Sequence, residues 1–127
     1  MFRIDNQSRQ AVYEQIVQQV EKYVLSGILA SGDKMPSVRK LSVELNVNPN
    51  TVQRAYTELE RSSVIVTSPG RGAFVSDSGL ANLREERREV NLKKLEEVLI
   101  ELKVAKVGKK EVLMIVEKAF EGGKDDD

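Results

Sequence analysis

The sequence has no cysteine and no histidine. Those two absences together remove disulfides, thiol nucleophiles, the usual zinc ligand sets and the commonest general base. Its Asp and Glu residues are scattered over what read as helical surfaces, with no carboxylate pair among pocket-forming neighbours. An enzyme is therefore not expected, and neither is a metal or a cofactor. No run of about 18 apolar residues occurs, which argues against a membrane-spanning helix. The opening MFRIDNQSRQ has no apolar stretch of signal-peptide type, so the expected compartment is the cytoplasm. Net charge is lacking too. The 20 Lys and Arg balance 20 Asp and Glu, so total charge gives no support for a nucleic acid partner.

What is present suffices for one ordinary domain, or a small domain with an appendage, in 127 residues. A hydrophobic fraction of 40% with 31% charged residues fits a soluble chain with a modest core. The charges are unevenly placed. From Lys34 to Arg71 stand Lys34, Arg39, Lys40, Arg54, Arg61 and Arg71 against Glu44, Glu58 and Glu60, a local net of +3. A local basic surface is the electrostatic footprint of a nucleic-acid binder, and this one is mild.

The same region holds the most informative stretch, PSVRKLSVELNVNPNTVQRAY, from Pro36 to Tyr56. It reads as two short helices joined by a tight turn. Ser37 is placed as an N-cap, and Val38, Leu41, Val43 and Leu45 are expected to form the apolar side of the first helix. Asn46 suits the left-handed conformation that ends it, and Val47 is expected to turn back into the core. Asn48 caps the next helix, with Pro49 at its first position, where the missing N–H costs nothing. Val52, Ala55, Tyr56 and Leu59 share one face of that helix. The opposite face carries Asn50, Thr51, Gln53, Arg54 and Thr57, side chains of the kind that read base edges in a major groove. A helical hairpin with a solvated polar face would show the same pattern.

Upstream, residues 2 to 7 read as a short extended arm lying on the domain. Residues 11 to 26 read as a helix, with Val12, Ile16, Val20 and Val24 on i+4 spacing and Tyr13 and Tyr23 widening a stripe assigned to the core. Gly27 ends it, and the extended piece from Ile28 to Met35 could pair with later strands. Downstream, Val64–Ser68 and Ala73–Ser76 read as a β-hairpin around Pro69-Gly70-Arg71-Gly72. A lone turn arginine is more often a solubilising charge. Directly after a candidate recognition helix, Arg71 has a second reading, as part of a wing that touches the DNA backbone or minor groove.

Residues 77–79 read as a polar linker between a domain at 1–76 and a helical region at 80–127. In that region Leu92, Leu95, Leu99 and Leu102 recur at coiled-coil spacing with Val98 alongside. A second helix, about 109 to 120, places Val112, Ile115 and Val116 on one side, with Phe120 adding area. The GGKDDD end reads as a frayed tail. Two such helices cannot bury both apolar faces alone, so they either fold back on the first domain or pair with a second copy, and the leucine seam favours the pair.

In order, the segments AVYEQI, GILASGDKMPSVRKLSVELNVNPNTVQRAYTELE and GRGAFV resemble the N-terminal DNA-binding domain of GntR-type bacterial transcription regulators over residues 8–76. The features that carry the resemblance are Gly32-Asp33, Pro36-Ser37 with Arg39, Leu41, Asn50-Thr51-Val52, Tyr56, and Gly70-Arg71-Gly72 with Phe74-Val75. It implies that Ser37, Val38 and Arg39, opening the second helix, lie where phosphate is held or a base edge is reached. Asn48, Asn50, Thr51, Gln53 and Arg54 would lie along or beside the major groove. Tyr56 would bond a phosphate or pack, and Gly70, Arg71 and Gly72 would make the wing contact. Three departures stand out. Ser63 occupies a position usually held by glycine, at a cost of about 1 kcal/mol if left-handed. Pro49 replaces an arginine that some members use for base reading, and Ser68-Pro69 lack the extra basic residues often found in the wing. The short two-helix C-terminal region resembles the YtrA subfamily, whose members often regulate transporter operons. It is too small for the larger ligand-binding domains of many relatives; an effector could still bind between the helices of the dimer, although no polar constellation in the sequence specifies one.

The expected fold is mainly α with a small β-hairpin wing, a winged helix-turn-helix domain followed by a two-helix dimerisation region. The expected function is sequence-specific binding of a pseudo-palindromic double-stranded DNA operator by a homodimer, acting as a repressor by occlusion. The rival is a winged-helix module used for protein–protein assembly, with the C-terminal helices as its adaptor.

Overall fold

The computed structural model describes residues 2–122 of the chain. The elements run α1 (Val12–Leu25), α2 (Val38–Leu45), α3 (Pro49–Arg61), β1 (Ile65–Ser68), β2 (Gly72–Val75), α4 (Gly79–Val104) and α5 (Lys109–Glu121). The architecture is mainly helical with one two-stranded antiparallel hairpin. Two compact units divide after Arg87, within α4. Of the tail expected from Gly122 to Asp127, Gly122 is the C-cap of α5 and residues 123–127 lie outside the described residues.

The first unit is built on α1 and α3. Ile16, Val20 and Val24 are buried on α1, one per turn, against Val52, Ala55, Tyr56 and Leu59 of α3 and Leu41 of α2 in a single core. Fully burying side chains of this size contributes about 1.5–3 kcal/mol each. The arm is fastened to α1 by two glutamines one turn apart. Gln15 accepts from the Asp5 N–H at 2.8 Å and donates to the Asp5 carbonyl at 3.1 Å. Gln19 does the same with the Arg3 backbone. Each amide thus behaves like the edge of a strand, and Phe2 completes the attachment edge-on against Tyr23 with ring centres 5.4 Å apart.

On α2 the structure corrects one expectation. Leu41 and Ser42 are buried, whereas Val43 is 76% exposed. Positions 38, 41, 42 and 45 share one side of a helix, and 43 points away from it. Ser42 is accommodated because its hydroxyl donates to the Arg39 carbonyl at 2.8 Å. Val47 packs against the core as expected.

Three helices end in the same way. Asn46, Ser63 and Lys106 have φ of 57°, 63° and 64°, left-handed backbone at residues that are not glycine. The following N–H bonds back across five residues in each case: Val47 to Ser42, Val64 to Leu59 and Val107 to Leu102. This is the Schellman closure, which satisfies helix-end carbonyls and turns an apolar residue inward.

In the hairpin Ile65 faces Val75 and Ser68 faces Gly72. The Arg71 N–H donates to the Ser68 carbonyl at 2.9 Å, closing a turn with Pro69 and Gly70 at its centre. Gly70 has φ 77°, the left-handed value a type II turn needs after proline. The expected pairing of the upstream extended piece is present. Lys34 bridges Phe74, the Met35 N–H donates to the Ala73 carbonyl at 2.8 Å, and the Val75 N–H donates to that of Asp33 at 2.8 Å.

The chain then enters α4 without slack. Ser76 donates its N–H to the Val64 carbonyl at 2.9 Å, and the Ser31 hydroxyl donates to the Asp77 carboxylate at 2.7 Å. A Cβ on Gly79 would stand 3.0 Å from the Val64 carbonyl oxygen, so this close approach suits glycine. Leu83 is fully buried, which makes the opening turns of α4 part of the first unit's core.

The second unit holds the rest of α4, with α5. Its apolar residues are poorly covered: Leu92, Leu95, Val98, Leu99, Ile115, Val116 and Phe120 are all exposed. Leu102, Val107 and Val112, at the turn between the helices, are half-buried.

Candidate nucleic-acid interface

Helix α3 presents its polar side to solvent because its apolar side is spent on α1 and α2. Asn50, Gln53, Arg54 and Thr57 are exposed, and Thr51 is half-buried. Asn48 is committed as cap, its Oδ1 accepting from the Asn50 N–H at 2.7 Å. Gln53 donates to the Thr57 hydroxyl at 3.3 Å. The Asn50 side chain has no partner among the described residues, so its donor and acceptor remain available together.

At the start of α2, the Ser37 hydroxyl accepts from the Lys40 N–H at 3.0 Å. Its own proton remains free to donate outward. Val38 beside it is half-buried, and Arg39 is exposed. Tyr56 is 5% exposed and donates its hydroxyl to the Pro36 carbonyl at 2.6 Å. Burial, with a smaller contribution from the Glu44 carboxylate, pushes this phenol well above the ordinary tyrosine range. The phenol thus ties α3 to the residue preceding the α2 cap.

The wing places Arg71 at an exposed tip. Lys34 joins it, its side chain passing so close to Gly72 that a Cβ there would meet the Lys34 Cε at 3.2 Å. Between the wing, α3 and the start of α2 lies a cleft of about 320 Å³ bordered by Lys34, Ser37, Gln53, Tyr56, Glu60 and Arg71.

Charge pairing sharpens the picture. Among the described residues the ion pairs are Arg61 with Glu58 and Arg87 with Glu21. Lys34, Arg39, Arg54 and Arg71 take part in neither, leaving the face formed by α2, α3 and the wing with unneutralised cations. Arg54 lies with its guanidinium carbon 3.8 Å from the centre of the Tyr13 ring on α1. Lys34 and Tyr13 are the residues that sequence reasoning left out of the site. Lys34 could have been found from its place opposite the hairpin. Nothing in the linear pattern links Tyr13 to Arg54, 41 positions later. No metal-binding cluster of acidic residues occurs among the described residues, and no described helix is long and apolar enough to cross a membrane.

Three helices followed by a hairpin, with a polar outward face on the third, define a winged helix-turn-helix protein. The model for bacterial regulatory proteins of the gntR family matches residues 12–75, so the chain belongs to the GntR family. It is similar to the HTH-type transcriptional repressor YtrA of Bacillus subtilis, at 41% identity over 84% of this chain and 82% of that one. Among solved structures it is similar to a transcriptional regulator from Oenococcus oeni, with a TM-score of 0.74 and 32% identity over 91% of this chain and 96% of the other. It also resembles YtrA from Sulfolobus acidocaldarius, a GntR-family transcription factor, with a TM-score of 0.61 and 33% identity over 75% of this chain and 97% of that one. The chain is thus a DNA-binding transcription regulator with a YtrA-like short C-terminal region, from a family that is not enzymatic.

Proposed function

We propose that the protein is a cytoplasmic repressor that binds a pseudo-palindromic operator as a homodimer. In this reading two α3 helices enter successive major grooves, about one helical turn apart. Asn50, Thr51, Gln53 and Arg54 face the bases, with Asn48 at the groove edge. Ser37, Val38 and Arg39 meet the backbone at the start of α2. Arg71, on the turn shaped by Gly70 and Gly72, contacts phosphate together with Lys34, and Tyr56 holds α3 against α2 through Pro36. Bound in this way the dimer excludes polymerase from the promoter. The name of the Bacillus subtilis relative supports repression, and the YtrA-like C-terminal region supports a transporter operon as the target.

The carrying observation is the set of uncommitted donors and cations on one face, Asn50, Arg39, Arg54 and Arg71, with no carboxylate among the described residues paired to any of them. Homodimerisation is supported by the exposed apolar residues of α4 and α5, Leu92, Leu95, Val98, Leu99, Ile115, Val116 and Phe120, with Leu102 and Val112 half-covered. A second copy would cover these residues, and a doubled set of phosphate contacts would offset the zero net charge of each chain. An effector, if one acts, would bind between the helices of that dimer.

The test is binding of the full-length protein to its own promoter duplex and to an unrelated duplex at two salt concentrations. A preference of about a thousandfold with a steep salt slope is expected. Equal weak binding to both would favour the adaptor reading.

A further inference from the structure

On α3, Asn50, Arg54, Thr57 and Arg61 recur at spacings of four, three and four on the side opposite the buried Val52, Ala55 and Leu59. The two arginines of this stripe differ in their surroundings. Arg61 is neutralised by Glu58. Glu58 is also four residues from Arg54, the spacing of a helical ion pair. Arg54 nevertheless has no carboxylate or hydrogen-bond acceptor among the described residues, and its guanidinium lies 3.8 Å from the centre of the Tyr13 ring. Stacking of this kind uses the flat face of the guanidinium. The five N–H donors at its edge stay uncommitted.

We propose that Tyr13 is a positioning residue for DNA recognition, a platform on α1 that preorders Arg54 so that the guanidinium edge meets a phosphate or a guanine edge. This rests on the operator-binding reading above. A free arginine must give up rotamer freedom when it contacts DNA, whereas one already stacked has lost part of that freedom when the domain folds. Only the ring is needed for this role. The Tyr13 hydroxyl is dispensable.

The test is the affinity of the full-length protein for its own promoter duplex and for an unrelated duplex, with thermal melting alongside. The variants are Tyr13→Phe, Tyr13→Leu, Arg54→Ala and the Tyr13→Leu, Arg54→Ala double. Tyr13→Leu is expected to weaken promoter binding about 3- to 10-fold, and Tyr13→Phe to bind as wild type. The double variant is expected to bind no worse than Arg54→Ala alone, since the platform then has nothing to position. A loss confined to the promoter duplex marks a guanine contact. An equal loss on both duplexes, with a salt slope flatter by about one, marks a phosphate. Additive losses, full binding by Tyr13→Leu, or equal weakness of the Phe and Leu variants would overturn the proposal. Should Tyr13→Leu unfold, Arg54→Lys tests the same contact from α3 by keeping the charge without the flat face. Wild-type affinity in that variant overturns the proposal. A wild-type protein that binds both duplexes alike removes the operator reading and this proposal with it. Promoter preference in wild type with Tyr13→Leu unaltered removes the platform alone.

Discussion

Replacing Ser63 with glycine should stabilise the first unit. Ser63 has φ 63°, and its backbone N–H donates to the Glu60 carbonyl at 3.0 Å while its own carbonyl accepts from the Asn82 amide at 3.3 Å. All of these are backbone groups that glycine keeps. The hydroxyl makes no hydrogen bond among the described residues, so its removal forfeits nothing. Left-handed backbone costs a non-glycine residue about 1–2 kcal/mol. Against this, glycine returns about 0.5–1 kcal/mol of conformational entropy to the unfolded chain. The difference spans about 0–1.5 kcal/mol and is centred on ~0.8 kcal/mol in favour of Ser63→Gly, which for a domain of this size raises Tm by about 3–6 °C. The assay is thermal unfolding followed by circular dichroism at fixed protein concentration, because the midpoint of the proposed dimer would depend on it. Ser62→Gly is the control. Ser62 has φ −91°, and its hydroxyl donates to the Glu58 carbonyl at 3.1 Å, so glycine should lower the midpoint there. A fall in Tm for Ser63→Gly, or the same shift in both variants, would refute the reasoning.

Tyr56→Phe leaves the Pro36 carbonyl without its donor and should cost about 1 kcal/mol at neutral pH. Its alkaline behaviour should change as well. A phenol raised in the folded state contributes stability that is complete below the ordinary value of about 10 and is lost as pH climbs above it. The Tm of the wild type should therefore fall more steeply in strong alkali than that of Tyr56→Phe, and parallel curves would count against the buried phenol. Leu99→Glu, on the exposed apolar side of α4, should convert the proposed dimer to monomer in sedimentation while leaving the helical spectrum intact. Unchanged sedimentation would count against a dimer formed through this side of α4. Arg71→Ala should reduce binding to both duplexes and flatten the salt slope by about one unit. An unaltered slope would mean that the wing does not reach phosphate.

Much of the fold was legible because local rules and tertiary demands agree. Ser37 and Asn48 cap the helices their chemistry suits, Asn46 takes the left-handed turn, and Pro69-Gly70 sets the hairpin turn. Val43 was misplaced because apolarity was read without the angle it subtends on a short helix. The resemblance, rather than the residue itself, marked Ser63 as a left-handed position. The polar face of α3 was equally plain, since periodicity separates it from the buried one. Contacts between elements distant in sequence were not legible. Gln15 and Gln19 look like any solvated helical amides until the arm is laid across them. Tyr13 looks like core until Arg54 is found above it.

The arm has a consequence for how this chain can change. Both glutamines grip its main chain, so the exposed side chains of Arg3 and Asp5 do not enter the attachment. Phe2, packed edge-on against Tyr23, and Ile4, half-buried against the core, are the side chains that do. The segment can therefore drift at residues 3 and 5 while staying docked, and its Arg3 can be traded for another charge to tune the surface around α1. Alteration of either glutamine would instead weaken the attachment whichever residues stand at 3 and 5.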